Sequence, residues 1–275
     1  MKFLEDLDRD IRANLLAQLR NLWTHTSTAL EGNTLTLGET AFVIEEGLTV
    51  SGKPLKDHAE VVGHARAIEL VYETVTQAQP FSAEQLFKFH QAVQTTSIAD
   101  IYSPVGAWKT EPNGTYAVSD DGKQQYLEYA TPADVPLLME KWLALFNELN
   151  SSQHDPESLL DSYTALHVAF VRIHPFFDGN GRLARLVANI PVIKSGYPPI
   201  LIDKTNRREY IQLLARYELA IGQPQKSSPL LTNKELLTDF KQFCQREWQQ
   251  SLALVESARE QQKIRRESSD LGGTE

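Results

Sequence analysis

With Cys244 as its lone cysteine, the chain cannot form an intrachain disulfide, and no apolar run approaches the roughly 20 residues that a membrane-spanning helix needs. Positive charge is also in short supply. Against 27 Lys and Arg stand 36 Asp and Glu, and the resulting net charge of -9 argues against nonspecific affinity for nucleic acid or an anionic membrane surface. The N-terminus, MKFLEDLDRD, is too charged to be the apolar core of a signal peptide. These absences describe a cytoplasmic protein with neither nucleic acid nor membrane as a partner, in which any phosphate must be held by a local device. At 275 residues the chain can bury roughly three quarters of its unfolded surface, so it needs no covalent staple.

What the sequence does have is helical periodicity. Leu15, Leu16, Leu19, Leu22 and Trp23 recur at helical spacing and predict a helical region over the first thirty residues that stops near Glu31-Gly32. Thr36 to Glu39 and Ser82 to Gln85 have the spacing of capping boxes, and Thr131-Pro132 puts proline where a first helical turn tolerates it. Periodic segments at about 57–78, 132–149, 157–173, 181–195, 206–221 and 233–265 make the fold all-α. One stretch departs from the pattern. Between Asn113 and Ala130, Asp121-Gly122 separates two runs rich in Tyr, Val and Thr, which reads as a β-hairpin. The segment from Gly222 to Pro229 reads as a loop before a C-terminal helix, and the polar tail beyond about Arg259 is expected to fray at its end.

The chemistry concentrates in HPFFDGNGRLAR, His174 to Arg185. Helical spacing through Leu166, Phe170 and Ile173 meets Pro175, so His174 sits at a helix end. Gly179-Asn180-Gly181 permits a tight or left-handed turn and opens the next helix. Its free amides and positive dipole end, with Arg182 and Arg185 three residues apart, form a pocket for a polyphosphate. Asp178 adds a hard oxygen that suits Mg2+ already ligated by phosphate. His174, neutral near pH 7, can take a proton from a hydroxyl attacking phosphorus. His154, His167 and the Asp57-His58 pair lack a second set of ligands at metal spacing and are read as structural.

This run resembles, position for position, the Fic family signature His-x-Phe-x-Asp-Gly-Asn-Gly-Arg-x-x-Arg. Eight fixed positions at roughly one in twenty each would match by chance on the order of 10⁻¹⁰ per start site. The resemblance implies a helical bundle with a small β-hairpin flap that transfers AMP from ATP to a protein Tyr, Ser or Thr hydroxyl, releasing pyrophosphate. Carried over, His174 is the base and Asp178 holds Mg2+. Gly179, Asn180, Gly181 and Arg182 hold the α- and β-phosphates, and Arg185 meets the γ-phosphate. Phe176 anchors the loop in the core. GAWKTEPNGTYAV and the hairpin resemble the family's flap, whose edge can pair with an extended target segment, although Lys109 stands where arginine is more usual. SGYPPI and RREY resemble the segments after the signature, where Tyr210 is read either as lining the nucleoside pocket or as core.

A second element, STALEGN from Ser27 to Asn33, resembles the inhibitory pattern [Ser/Thr]-x-x-x-Glu-[Gly/Asn] of Fic proteins that carry their own inhibitory helix. The resemblance implies that Glu31 pairs with Arg185, takes that arginine from the γ-phosphate and misaligns the α-phosphorus. In some relatives the same glutamate activates water to remove AMP. The organisation expected is an N-terminal helical region over 1–36 bearing the inhibitory motif, a Fic core over 37–225 with its flap at about 106–130, and a C-terminal helix and polar tail over 226–275. The function expected is a self-inhibited protein adenylyltransferase, with self-modification and a homodimer among the arrangements allowed. The alternatives are AMP removal at the same site or a catalytically silent nucleotide-binding module, against which intact His174 and Asp178 argue. A phosphate-transferring variant is disfavoured because Gly181 is present where that variant has a bulkier residue. With no basic recognition patch and a long final helix, a DNA-binding regulator is weaker still.

Overall fold

The computed structural model describes residues 1–94, 103–118, 122–151, 154–233 and 235–272. After a short 3-10 turn at Lys2–Leu4, α1 (Arg9–Leu30) runs to the expected stop, where Gly32 takes φ +97°. Both capping boxes form. Thr36 and Ser82 accept from the backbone N–H of Glu39 and Gln85, whose side chains accept in return from the N–H of Thr36 and Ser82, opening α2 (Leu37–Glu46) and α4 (Ala83–Val93). Between them lies α3 (Leu55–Thr76). The hairpin pairs β1 (Gly114–Val118) with β2 (Gln124–Glu128), Tyr116 opposite Tyr126. Of the expected Asp121-Gly122 turn, Asp121 lies outside the described residues; Gly122 is left-handed at φ +78°.

Five helices complete the chain: α5 (Val135–Ser151), α6 (Pro156–Ile173), α7 (Asn180–Val187), α9 (Arg207–Ile221) and α10 (Glu235–Gly272), with the one-turn α8 (Ile190–Lys194) between α7 and α9. The segment expected as one helix over 181–195 is thus two. Pro191 has no N–H to continue the ladder, and the Asn189 side chain bridges the carbonyls of Arg185 and Ile200 while accepting from the Ile200 N–H, which bends the chain there. The C-terminal helix runs past 265 because its inner face clasps α1: Gln262 accepts from the Asp8 N–H at 2.6 Å, and Arg265 pairs with Asp8 and Asp10. Among the described residues no helix is long and apolar enough to cross a membrane.

Packing centres on α6. Leu159, Tyr163, Leu166, Ala169 and Phe170 are fully covered by α5, α7, α8 and α10, so the helix that delivers His174 is deeply set in the bundle. Near its end, Arg172 forms an ion pair with Glu218 at 3.0 Å and donates to the carbonyls of Leu230 and Gly222, pinning the loop between α9 and α10. Both partners are buried, so Arg172→Ala would leave a carboxylate without its counter-charge. A loss of about 3–5 kcal/mol in urea unfolding is expected.

Candidate active site

His174 caps α6 in the left-handed conformation, φ 51° and ψ 59°, with its N–H still bonded to the Phe170 carbonyl. The turn tips the imidazole out of the helix. Its Nδ1 lies 3.2 Å from the Val171 carbonyl, which can only accept, so the proton sits on Nδ1 and Nε2 is left bare. Desolvation first, then the charge of Lys109, pulls this imidazole down to about 3, so the ring is neutral at pH 7. Phe176 anchors the loop as expected: it is fully buried, stacked on His90 at 3.9 Å and set against Phe87 and Trp108.

The turn into α7 is built for close approach. Gly179 is left-handed at φ +80°, where any side chain is strained, and a Cβ there would stand 2.8 Å from Gln94 Nε2 and push that amide aside. The first helical hydrogen bond runs from the Leu183 N–H to the Gly179 carbonyl, so the amides of residues 180 to 182 precede it at the helix's positive end. The Asn180 side chain is spent within the loop, accepting from the Phe176 N–H and donating to its carbonyl. What Asn180 can offer a phosphate is its backbone.

Asp178 accepts from Gln94 at 3.0 Å and lies 3.4 Å from Arg182, while its side chain remains 73% exposed. Burial works against its charge, but the Gln94 hydrogen bond and the Arg182 charge outweigh it and hold the carboxyl below its ordinary value. Arg182 is buried and donates to the Val93 carbonyl at the end of α4. Among the described residues no group of three or more His, Cys, Asp or Glu could hold a metal alone. The exposed Asp178 carboxylate beside the start of α7 is compatible with Mg2+, which is bound by one or two carboxylates together with substrate phosphates.

Arg185 is also buried and meets α1. Its Nε donates to Ser27 Oγ at 3.0 Å, and its Nη2 donates to the Ser27 carbonyl at 2.9 Å and to Glu31 Oε1 at 2.6 Å. The first and fifth residues of the Ser27–Glu31 pattern thus grip one guanidinium. Burial opposes the charge on Arg185, but the Glu31 carboxylate more than compensates and raises its pKa above the ordinary value. A Cβ on Gly181 would stand 2.7 Å from Glu31 Oε1, so the carboxylate lies directly over the amide end of α7. Tyr210 is core: its ring packs on Phe240 and Phe243, its hydroxyl bonds to His167 at 2.9 Å, and Arg185 Nη1 lies 3.4 Å from that oxygen.

Residues 80–191 match the family model described as Fic/DOC family. The chain carries a Fic domain. Its similarity to the protein adenylyltransferase Fic of Drosophila ananassae is 30% identity over 204 residues, covering 74% of this chain and 37% of that protein. Protein adenylyltransferase fic-1 of Caenorhabditis elegans is 28% identical over 191 residues, covering 69% and 35%. The chain therefore spans little more than a third of the length of these curated relatives. Among solved structures, a Fic domain-containing signalling protein from Bacteroides thetaiotaomicron superposes with a TM-score of 0.76 at 23% identity over 92% of this chain and 93% of that one. Fic-1 from C. elegans gives 0.67 at 22%, covering 91% and 66%. At these identities the structures establish the shared fold.

Within the Fic domain the signature residues converge on one turn, and Glu31 reaches it from the other end of the sequence. Sequence reading missed three supports of that turn. Gln94 positions Asp178; Asn113 donates to the carbonyls of Phe176 and Phe177 and accepts from Lys109 Nζ; Tyr129 lies on His174. Each is remote in sequence from the signature residue it touches, and none carries a spacing signal. Lys109 itself is buried, which lowers its amine to about 8, and its N–H holds the Pro175 carbonyl. Of the histidines read as structural, His58 accepts from the Val50 N–H, His154 meets the Leu149 carbonyl and His167 meets the Tyr210 hydroxyl.

Proposed function

We propose that this Fic domain is a protein adenylyltransferase, moving AMP from ATP to a Tyr, Ser or Thr hydroxyl of a target protein, and that Glu31 restrains it. The observation that carries the reading is a bare, neutral imidazole nitrogen beside an amide-lined helix start flanked by Arg182 and Arg185. The name borne by the curated relatives supports it. In this mechanism the target hydroxyl oxygen bonds to the α-phosphorus as its proton passes to His174 Nε2. The bond from the α-phosphorus to the bridging oxygen breaks, and pyrophosphate departs with that electron pair. The amides of Asn180, Gly181 and Arg182 hold the α- and β-phosphates, and Arg185, once released, holds the γ-phosphate through its planar fork.

Asp178 would hold Mg2+, which supplies charge neutralisation on the pyrophosphate side when bound. Asp178→Ala is therefore expected to fold normally but to need about tenfold or more Mg2+ for half-maximal transfer. An unchanged Mg2+ titration would reduce the carboxylate to a partner of Gln94 and Arg182. Exposed Tyr116, Val118 and Tyr126 on the hairpin suit an extended target segment laid along its edge.

A second reading places AMP removal at the same site. It is favoured by the Glu31 side chain, which is 41% exposed at the mouth of the anion pocket and could activate water there. Mass spectrometry of a protein extract incubated with this chain or its Glu31→Gly variant and several nucleotides decides the chemistry. AMP adducts on hydroxyl side chains, including any on the chain itself, are the result expected; their absence with both proteins would overturn transfer.

A further inference from the structure

The hairpin ends on the base. Tyr129, the first residue after β2, lies flat on the His174 imidazole with ring centroids 3.7 Å apart and planes 2° from parallel. Most aromatic pairs settle at about 4.5–7 Å in offset or edge-on arrangements, so this is a closely fitted plate. We propose that Tyr129 is a positioning residue for His174, through which the flap sets the plane in which the base meets the target hydroxyl. The inference rests on His174 being that base.

A left-handed histidine at a helix end has two freedoms that matter: the tilt of its ring plane, and the flip that exchanges Nδ1 with Nε2 about a broad, roughly two-fold torsion. The Val171 carbonyl, 3.2 Å from Nδ1, selects the flip. It leaves the tilt open, because a single hydrogen bond allows the ring to swing about its axis. The Tyr129 ring closes that freedom. No other ring in the described residues stacks on His174.

Tyr129 is itself fixed at two points: its N–H donates to the Asn113 carbonyl at 3.1 Å, and its carbonyl accepts from Gln223 at 2.9 Å. Asn113 is tied in turn to the carbonyls of Phe176 and Phe177, so the hairpin base and the loop after His174 are one framework. The Lys109 ammonium, 6.0 Å from the Tyr129 ring centroid, adds a cation on the aromatic side of the stack. A target segment pairing with the hairpin would act on a strand that leads directly into the residue holding the base.

The test compares Tyr129→Phe and Tyr129→Leu in the full chain, with and without Glu31→Gly. His174 ring-proton resonances, assigned by their loss in His174→Ala, report the stack, and single-turnover transfer is measured alongside the ATP Kd. Tyr129→Phe should keep the upfield ring-current displacement and transfer within about threefold of the parent. Tyr129→Leu should lose the displacement and about 10- to 100-fold in transfer rate, the scale of a base misplaced by about 1 Å, with the ATP Kd unchanged. Full transfer by Tyr129→Leu, or a Kd that weakens in step with the rate, would overturn the proposal and leave Tyr129 as packing. Were the parent to transfer no AMP at all, that failure would belong to the proposed function. Overhauser contacts of the His174 ring protons with the rest of the protein would still decide the positioning: altered in Tyr129→Leu they support it, unchanged they overturn it.

Discussion

His174→Ala should bind ATP with unchanged affinity and transfer AMP about 10²- to 10⁴-fold more slowly, the usual cost of removing a general base. The separation follows from the architecture: phosphate donors come from the start of α7 and from arginines, whereas the imidazole hangs from the end of α6. The pH profile sharpens the expectation. A base must be neutral to accept a proton, and an ordinary histidine would lose half its competence near its own pKa as pH falls. Because desolvation holds His174 at about 3, its base form persists through that range. Transfer should therefore stay level from about pH 8 down to about pH 5, with no limb near the ordinary histidine value of about 6.5. A limb there that vanishes in His174→Ala would mean that the ring is more solvated during turnover than between Tyr129 and α6. Equal transfer by the variant and the parent would remove His174 from the mechanism.

Most of this site was legible because its parts are consecutive. Between His174 and Arg185 the chain itself brings imidazole, carboxylate, amides and arginines together, so a linear pattern captures a spatial one. Capping boxes at Thr36 and Ser82 were readable for the same reason, each being closed within four residues. The break at Ala188-Asn189 was not. Hydrophobic spacing continues across it, and the side chain that bends the chain there, Asn189, draws on Ile200, eleven residues away. Gln94, Asn113 and Tyr129 escaped notice because their roles exist only across the fold: Gln94 reaches Asp178 over 84 positions and Asn113 reaches Phe176 over 63. For Tyr210, periodicity alone could not choose between pocket and core, since an aromatic on a buried helical face serves either. In the fold its ring is buried on Phe240 and Phe243, and its hydroxyl meets His167 at 2.9 Å and Arg185 at 3.4 Å.

Glu31→Gly is expected to raise AMP transfer, including self-modification, by about tenfold or more, the factor that corresponds to about 1.4 kcal/mol of competition relieved. The competitor is visible in the structure. Glu31 Oε1 lies 2.6 Å from Arg185 Nη2 and directly over Gly181, where an incoming phosphate oxygen would meet the amide end of α7. Removing the carboxylate frees both the guanidinium and the space. Because Glu31 is partly exposed, solvent screening limits what the pair contributes to folding, so the variant should melt within a few degrees of the parent. Glu31→Gln, which keeps the shape and removes the charge, should give an intermediate gain. The double variant with Arg185→Ala distinguishes regulation from a change at the end of α1. If Glu31 acts by occupying Arg185, the gain disappears once the arginine is absent; if it acts only as the residue capping α1, the two effects add. Ser27 provides an internal control, since it holds the same guanidinium through its hydroxyl and carbonyl without entering the phosphate space, and Ser27→Ala should leave restraint largely in place. Radiolabelled ATP reads all of these: equal transfer by the parent and Glu31→Gly, both folded and binding ATP alike, would sink restraint by Glu31 while leaving the assignment of the base and the anion pocket standing.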